Sequence, residues 1–112
     1  MTLQHDIQAL VAWNDALGVP EVVRMLKLGE ESGEAAVTEY FGYRGLNPRK
    51  GVTNGVESVL LELADTALAA LVALESLQPG AALITLCQRA EFVRERLGFD
   101  ARYEPADFGG AR

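Results

Sequence analysis

Val56-Glu57-Ser58-Val59-Leu60-Leu61-Glu62-Leu63-Ala64-Asp65-Thr66-Ala67-Leu68-Ala69-Ala70-Leu71-Val72-Ala73-Leu74 runs without glycine or proline and is apolar nearly all the way round a helix. A helix of that kind is buried on most of its sides. Yet Glu62 and Asp65 sit in its middle. At ~100° per residue, positions three and four apart share a face. Ser58, Glu62, Asp65 and Ala69 therefore form one stripe, with Ala73 close to the same line. An ionised carboxylate is too costly to bury uncompensated: it protonates, meets a cation or faces a wet cleft. Ala69 and Ala73 are small and leave room beside the acids. Taken alone, the stripe fits the solvated face of an amphipathic helix equally well.

Outward from this helix the chain stays helical. Asn54, with Glu57 three residues later, resembles a capping box with Asn in place of Ser or Thr, so the helix is expected from about Asn54 to about Leu77. Pro79-Gly80 resets the chain, and a last helix is expected over Ala81 to Leu97. Upstream, Gly42-Tyr43-Arg44-Gly45-Leu46-Asn47-Pro48-Arg49-Lys50-Gly51 reads as a loop, because its glycines and its Asn-Pro step oppose a continuous helix. A second helix precedes it from Pro20, a residue suited to a first turn, to about Phe41. Gly18-Val19-Pro20 separates that helix from the first, expected over Thr2 to Leu17 with Ile7, Leu10, Val11 and Asn14 at helical spacing. No segment sustains a period of two, so no strand is expected. The predicted fold is all-α, a four-helix bundle-like domain over residues 1–97. A mobile tail follows over 98–112.

The second helix has two faces. Val22, Leu26, Val37 and Tyr40 form the apolar one, expected to be buried, with Gly29 and Gly33 on the same side. Glycine costs up to ~1 kcal/mol in a helix interior, so the pair predicts close approach of another helix. The other face carries Lys27, Glu31, Glu34 and Thr38, with Arg24 beside them. Lys27 and Glu31 are spaced for an i,i+4 ion pair.

Composition narrows the function. The 112 residues suffice for one domain; 49% are hydrophobic and 23% charged, a globular balance. The longest apolar run, Ala67 to Leu74, falls far short of the ~18 residues of a spanning segment. The first ten residues lack a basic region and contain Asp6, unlike a signal peptide. A soluble, cytoplasmic protein with no membrane partner is expected. A net charge of −6 argues against a nucleic-acid polymer as partner, but not against a small phosphate ligand held through a divalent cation. Cys87 is the single cysteine, and its neighbours Leu83, Ile84 and Leu86 predict a buried, inert thiol. His5, the single histidine, is given no role.

The two acidic pairs gain meaning together. Glu31-x-x-Glu34 and Glu62-x-x-Asp65 are each spaced for one helix face, and the loop between their helices is short enough for an antiparallel hairpin. Both pairs then face one gap. Four carboxylates in one gap cannot all stay ionised without a cation. A set of hard oxygen ligands suits magnesium, or manganese, either of which keeps open positions for a substrate phosphate.

In these residues the chain resembles the all-alpha nucleoside triphosphate pyrophosphohydrolases, the MazG-like group that includes dimeric dUTPases and dCTP pyrophosphatases. The group's pattern of Glu-x-x-Glu, a loop, then Glu-x-x-Asp reads here as Glu31-Ser-Gly-Glu34 and Glu62-Leu-Ala-Asp65. The stretch from about Leu26 to Leu74 carries the likeness, and the order of helices extends it over Leu3 to Leu97. The resemblance implies that Glu31, Glu34, Glu62 and Asp65 bind magnesium and form the catalytic set. It implies attack of water on the α-phosphorus of a nucleoside triphosphate, with pyrophosphate leaving, and Glu31 or Glu30 helping to take the water's proton. Clearing of the nucleotide pool is one role that such an activity could serve. The chain departs from some relatives at Ala69, where they carry tyrosine, and at Val93, where they carry asparagine.

Other residues are candidates for substrate contact. Arg44, Arg49 and Lys50, in the loop, could stabilise charge developing on pyrophosphate, or simply be solvated. Lys27 could reach a phosphate, although pairing with Glu31 is the simpler expectation. Arg89 and Arg96 on the last helix have the same two options. Trp13 reads as a core aromatic, with stacking on a base as the alternative; Asn14 could bond a base edge. The apolar excess of the third helix predicts a homodimer or homotetramer, as does the resemblance. Two alternatives stay open: a module of the same fold that binds nucleotide or metal without turnover, and a helical protein-interaction module.

Overall fold

The computed structural model describes residues 2–98. The mobile tail expected from Gly98 onward therefore lies, from residue 99, outside the described residues. All regular structure among the described residues is helical. Helix α1 spans Leu3–Ala16; the Thr2 hydroxyl accepts the His5 N–H at 3.2 Å and caps it. Gly18, at φ +71°, turns the chain out of it.

Helix α2 begins at Glu21, directly after Pro20, and is wound in three successive stretches. Glu21–Gly33 is α-helical, Glu34–Tyr40 is π-helical, and Phe41–Arg44 returns to α. It thus runs three residues past the expected end at Phe41, absorbing Gly42, and stops where Gly45 adopts φ +63°. Helix α3 spans Val56–Leu77 and α4 spans Ala82–Arg96, close to expectation. Asn54 does not cap α3. Gly55 occupies that position without a side-chain bond, and the Asn54 amide instead donates to the Glu39 carbonyl at 2.9 Å.

The chain divides into two compact units, Met1–Ala82 and Leu83–Arg112. In the first, α3 packs along α2 and α1. Its buried apolar set is small: Ile7, Ala35, Val59, Ala73 and Ala82, joined by the charged residues Arg24, Glu31 and Glu75. The expected apolar face of α2 is turned out: Val22, Leu26 (69% exposed), Val37 and Tyr40 are all exposed. A Cβ at Gly29 or Gly33 would meet nothing among the described residues, so the glycine pair does not mark a close helix crossing there. Its polar face, with Arg24 and Glu31, is the buried one. Helix α3 likewise leaves Leu60, Leu61 and Leu63 exposed, so it is not enclosed on most sides as its composition predicts. The physical reason is shared. Only one face of α2 can meet α3, and the polar stripes of the two helices face each other.

In the second unit, the Arg89 and Arg96 guanidinium groups lie over the Phe92 ring, 4.7 and 5.8 Å from its centroid. Cys87 is exposed, contrary to expectation, because its neighbours Ile84 and Leu86 are themselves exposed. No single helix among the described residues is long and apolar enough to cross a membrane.

Candidate functional site

Facing α2 and α3 brings acids together. One carboxylate oxygen from each of Glu31, Glu62 and Asp65 lies within 4.8 Å of the others. Glu31 is nearly buried, and its Oε1 accepts from Lys27 Nζ at 2.9 Å; Lys27 also approaches Glu30 at 3.5 Å. The expected i,i+4 pair is therefore formed. Asp65 is exposed at the rim. Glu62 Oε2 is buried and has no hydrogen-bond partner among the described residues. Burial, and then the carboxylates of Glu34, Glu31, Asp65 and Glu39, push the Glu62 carboxyl above its ordinary value of 4.5.

Glu34, the remaining predicted ligand, is exposed and stands outside the close trio, yet its charge is the first after burial to act on Glu62. Glu39 is a fifth acid that the sequence reading did not single out. In an α-helix, residues five apart point well away from one another. The wider i→i+5 winding of Glu34–Tyr40 brings Glu39 back toward the side of Glu34.

Glu31 and Asp65 open onto a cavity of about 420 Å³ between α1, α2 and α3. Leu10, Trp13, Val23, Leu68 and Val72 form its apolar wall, and Ala69 lines it beside Asp65. Its polar groups are Asn14, Arg24, Lys27, Glu31 and Asp65. An apolar hollow with a few convergent polar groups is the usual form of a small-molecule site. Trp13 is not core but 60% exposed at this wall. Asn14 Nδ2 donates to the Leu10 carbonyl at 3.0 Å, which leaves its Oδ1 as an acceptor.

Arg24 holds the frame. Its Nη1 donates to Ser76 Oγ at 2.8 Å, and its Nη2 to Asp15 Oδ1 at 2.7 Å and to the Val19 carbonyl at 3.0 Å. One buried guanidinium thus joins α2 to α3, to the end of α1 and to the connection that follows it. The sequence shows Arg24 only as a neighbour of the acidic face.

The other candidate cations do not line this cavity. Arg44 donates to the Tyr40 hydroxyl at 3.2 Å, the Arg49 backbone N–H donates to Asn47 Oδ1, and Lys50 borders a separate hollow with Thr38 and Thr53. Arg89 and Arg96 belong to the second unit. No protein-family model, curated protein or solved structure matches this chain.

Proposed function

We propose that the protein is a magnesium-dependent nucleoside triphosphate pyrophosphohydrolase of the MazG-like kind, converting a nucleoside triphosphate and water to the monophosphate and pyrophosphate. The observation that carries this reading is the meeting of Glu31, Glu62 and Asp65 within 4.8 Å at the edge of an apolar cavity. The donor set suits magnesium: it is all carboxylate oxygen, and buried Glu62 Oε2 has no partner among the described residues that would compete. Glu31, Glu62 and Asp65 would hold the ion, with Glu34 completing the set from the solvent side.

Bound magnesium supplies charge stabilisation on the phosphoryl oxygens and lowers the pKa of a coordinated water. The chain's own residues do the rest. The exposed Trp13 ring offers a stacking face for a base, and Leu10, Val23 and Val72 exclude water around it. Asn14 Oδ1 is free to accept from a base N–H. Lys27 neutralises charge at the acidic end, where it already pairs with Glu31. Loss of Glu31 as a partner to an incoming cation leaves its ammonium for a phosphate. Ala69 keeps space open beside Asp65, the place of a tyrosine in some relatives.

We further propose that the working form is a homodimer or homotetramer, in which a second copy covers the apolar face of α2. A core this thin supports it.

The test is a panel of triphosphates incubated with the purified chain and magnesium, with pyrophosphate and orthophosphate detected separately. Pyrophosphate release is expected, and Glu62→Ala should abolish it while leaving the helical spectrum intact. Orthophosphate as the sole product, or full activity in Glu62→Ala, would defeat the reading.

A further inference from the structure

Helices α2 and α3 are antiparallel, and the acids meet midway along them. Two side-chain ties flank that meeting point. Arg24 to Ser76 lies at one end. At the other, the chain just ahead of α3 is drawn onto the end of the π-helical part of α2 and onto the short α-helical stretch that follows it. Asn54 Nδ2 donates to the Glu39 carbonyl at 2.9 Å, and the Thr53 N–H donates to the Gly42 carbonyl at 3.0 Å. The approach is close: a Cβ at Gly42 would overlap Asn54 Oδ1 and Thr53 Oγ1. Of the three glycines inside α2, Gly29, Gly33 and Gly42, only Gly42 leaves no room for a side chain.

The position of this contact matters because of the winding it touches. A π turn carries one more residue than an α turn, so it resets the phase of everything beyond it. It starts at Glu34 and contains Glu39. Asn54 is one residue ahead of the α3 N-cap, and Glu62 is two turns into that helix. A bond from Asn54 to a carbonyl of the π turn therefore couples the phase of the Glu34 and Glu39 side of α2 to the start of the helix that carries Glu62 and Asp65.

We propose that Asn54 is a positioning residue of the acidic site: its bond to the Glu39 carbonyl fixes the register in which α2 presents its acids to Glu62 and Asp65. This inference rests on the metal-site reading given above. Asn54 touches neither metal nor substrate; it acts through the helix it holds, as an outer partner orients a ligand.

The experiment titrates Mn²⁺ alone into the full chain and reads bound ion by electron paramagnetic resonance. Asn54→Asp keeps the side chain's shape and removes its N–H donor. It should weaken Mn²⁺ binding by about tenfold or more, the usual cost of losing an outer-shell partner. Coulomb attraction alone predicts the opposite sign, since the variant adds a negative charge beside the site. Gly42→Ala, which displaces Asn54 without replacing it, should give a like loss. In a Glu34→Gln background the Asn54→Asp loss should shrink, because both changes act on the same face. The titrations are read on whichever variant keeps the wild-type far-ultraviolet circular dichroism. Loss of the helical spectrum in both variants overturns the inference, as a positioning residue is dispensable for folding. Binding that is unchanged or tighter in a folded variant overturns it too. Should the wild type bind no Mn²⁺, the metal site falls and this inference with it. Should the wild type bind and the variants match it, this inference falls alone.

Discussion

Glu62 and Glu75 lie on the same helix, the first half-buried and the second buried, and their carboxyls are driven in opposite directions. Glu62 is surrounded by acids, with one oxygen unpartnered, and titrates above 4.5. Glu75 accepts the backbone N–H of Gly80 at 2.6 Å and of Ala82 at 3.0 Å, which hold it below 4.5 despite its burial. Linkage then fixes two signs. The folded state prefers protonated Glu62, so stability is lost as pH rises from 4.5 through the raised folded value. The folded state prefers ionised Glu75, so its contribution is complete above 4.5 and vanishes as pH falls through the lowered folded value. Glu62→Gln, in buffer free of divalent ions, should therefore melt higher than wild type at pH 7, the gap closing once the wild-type carboxyl is protonated in both states. Glu75→Gln should melt lower at pH 7, its gap closing in acid. Thermal melts of the two variants across pH check both signs. A Glu62→Gln chain that melts lower at pH 7 would mean that the acid is stabilising, which no metal-free arrangement of these carboxylates explains. Stability given up at a site is the ordinary mark of function.

Helix α2 carries two stripes, and only one of them meets α3. The polar stripe wins, because α3 offers Ser76 to Arg24 and sets Glu62 and Asp65 opposite Glu31. Val22, Leu26 and Val37 are left outward, and a Cβ at Gly29 or Gly33 would meet nothing among the described residues. Leu26→Glu should accordingly lower the oligomeric state in light scattering coupled to size exclusion while keeping the helical spectrum. A wild type already monomeric at micromolar concentration would refute the assembly. The helices themselves were legible: Gly18, Pro20 and Pro79-Gly80 mark breaks for reasons of backbone geometry, and the Glu31 and Asp65 spacings place acids on facing sides. The phase of α2 was not legible in full. Its apolar stripe and its acidic stripe each read as inward, and a single chain can satisfy one alone. Nor was the π turn, since Glu34-Ala35-Ala36-Val37-Thr38-Glu39-Tyr40 suits an α-helix equally well and Asn54 reads locally as a cap. Both depend on a contact between residues far apart in sequence, which periodicity does not encode.

At the scale of the molecule, an acidic chain of net charge −6 concentrates five of its acids around one point, and the folded state bears that repulsion. A bound cation removes a local cost, whereas salt merely screens a diffuse one over a Debye length of ~8 Å at physiological ionic strength. The two are separable. Magnesium at about a hundred times its dissociation constant adds about 2.7 kcal/mol to stability. In a domain of ~60–100 residues each kcal/mol moves the melting temperature by about 4–8 °C. The wild type should therefore rise by about 10 °C or more in saturating magnesium and much less in sodium chloride of equal ionic strength. Glu62→Gln should respond to both salts alike, since it loses a ligand and already lacks the charge that the ion offsets. Asn54→Asp should respond to magnesium only at higher concentration, because its ligands are present but misplaced. Equal responses to the two salts in the wild type would reduce the cluster to ordinary surface charge. The cavity beside it would then be an apolar hollow without a metal-held phosphate to fill it.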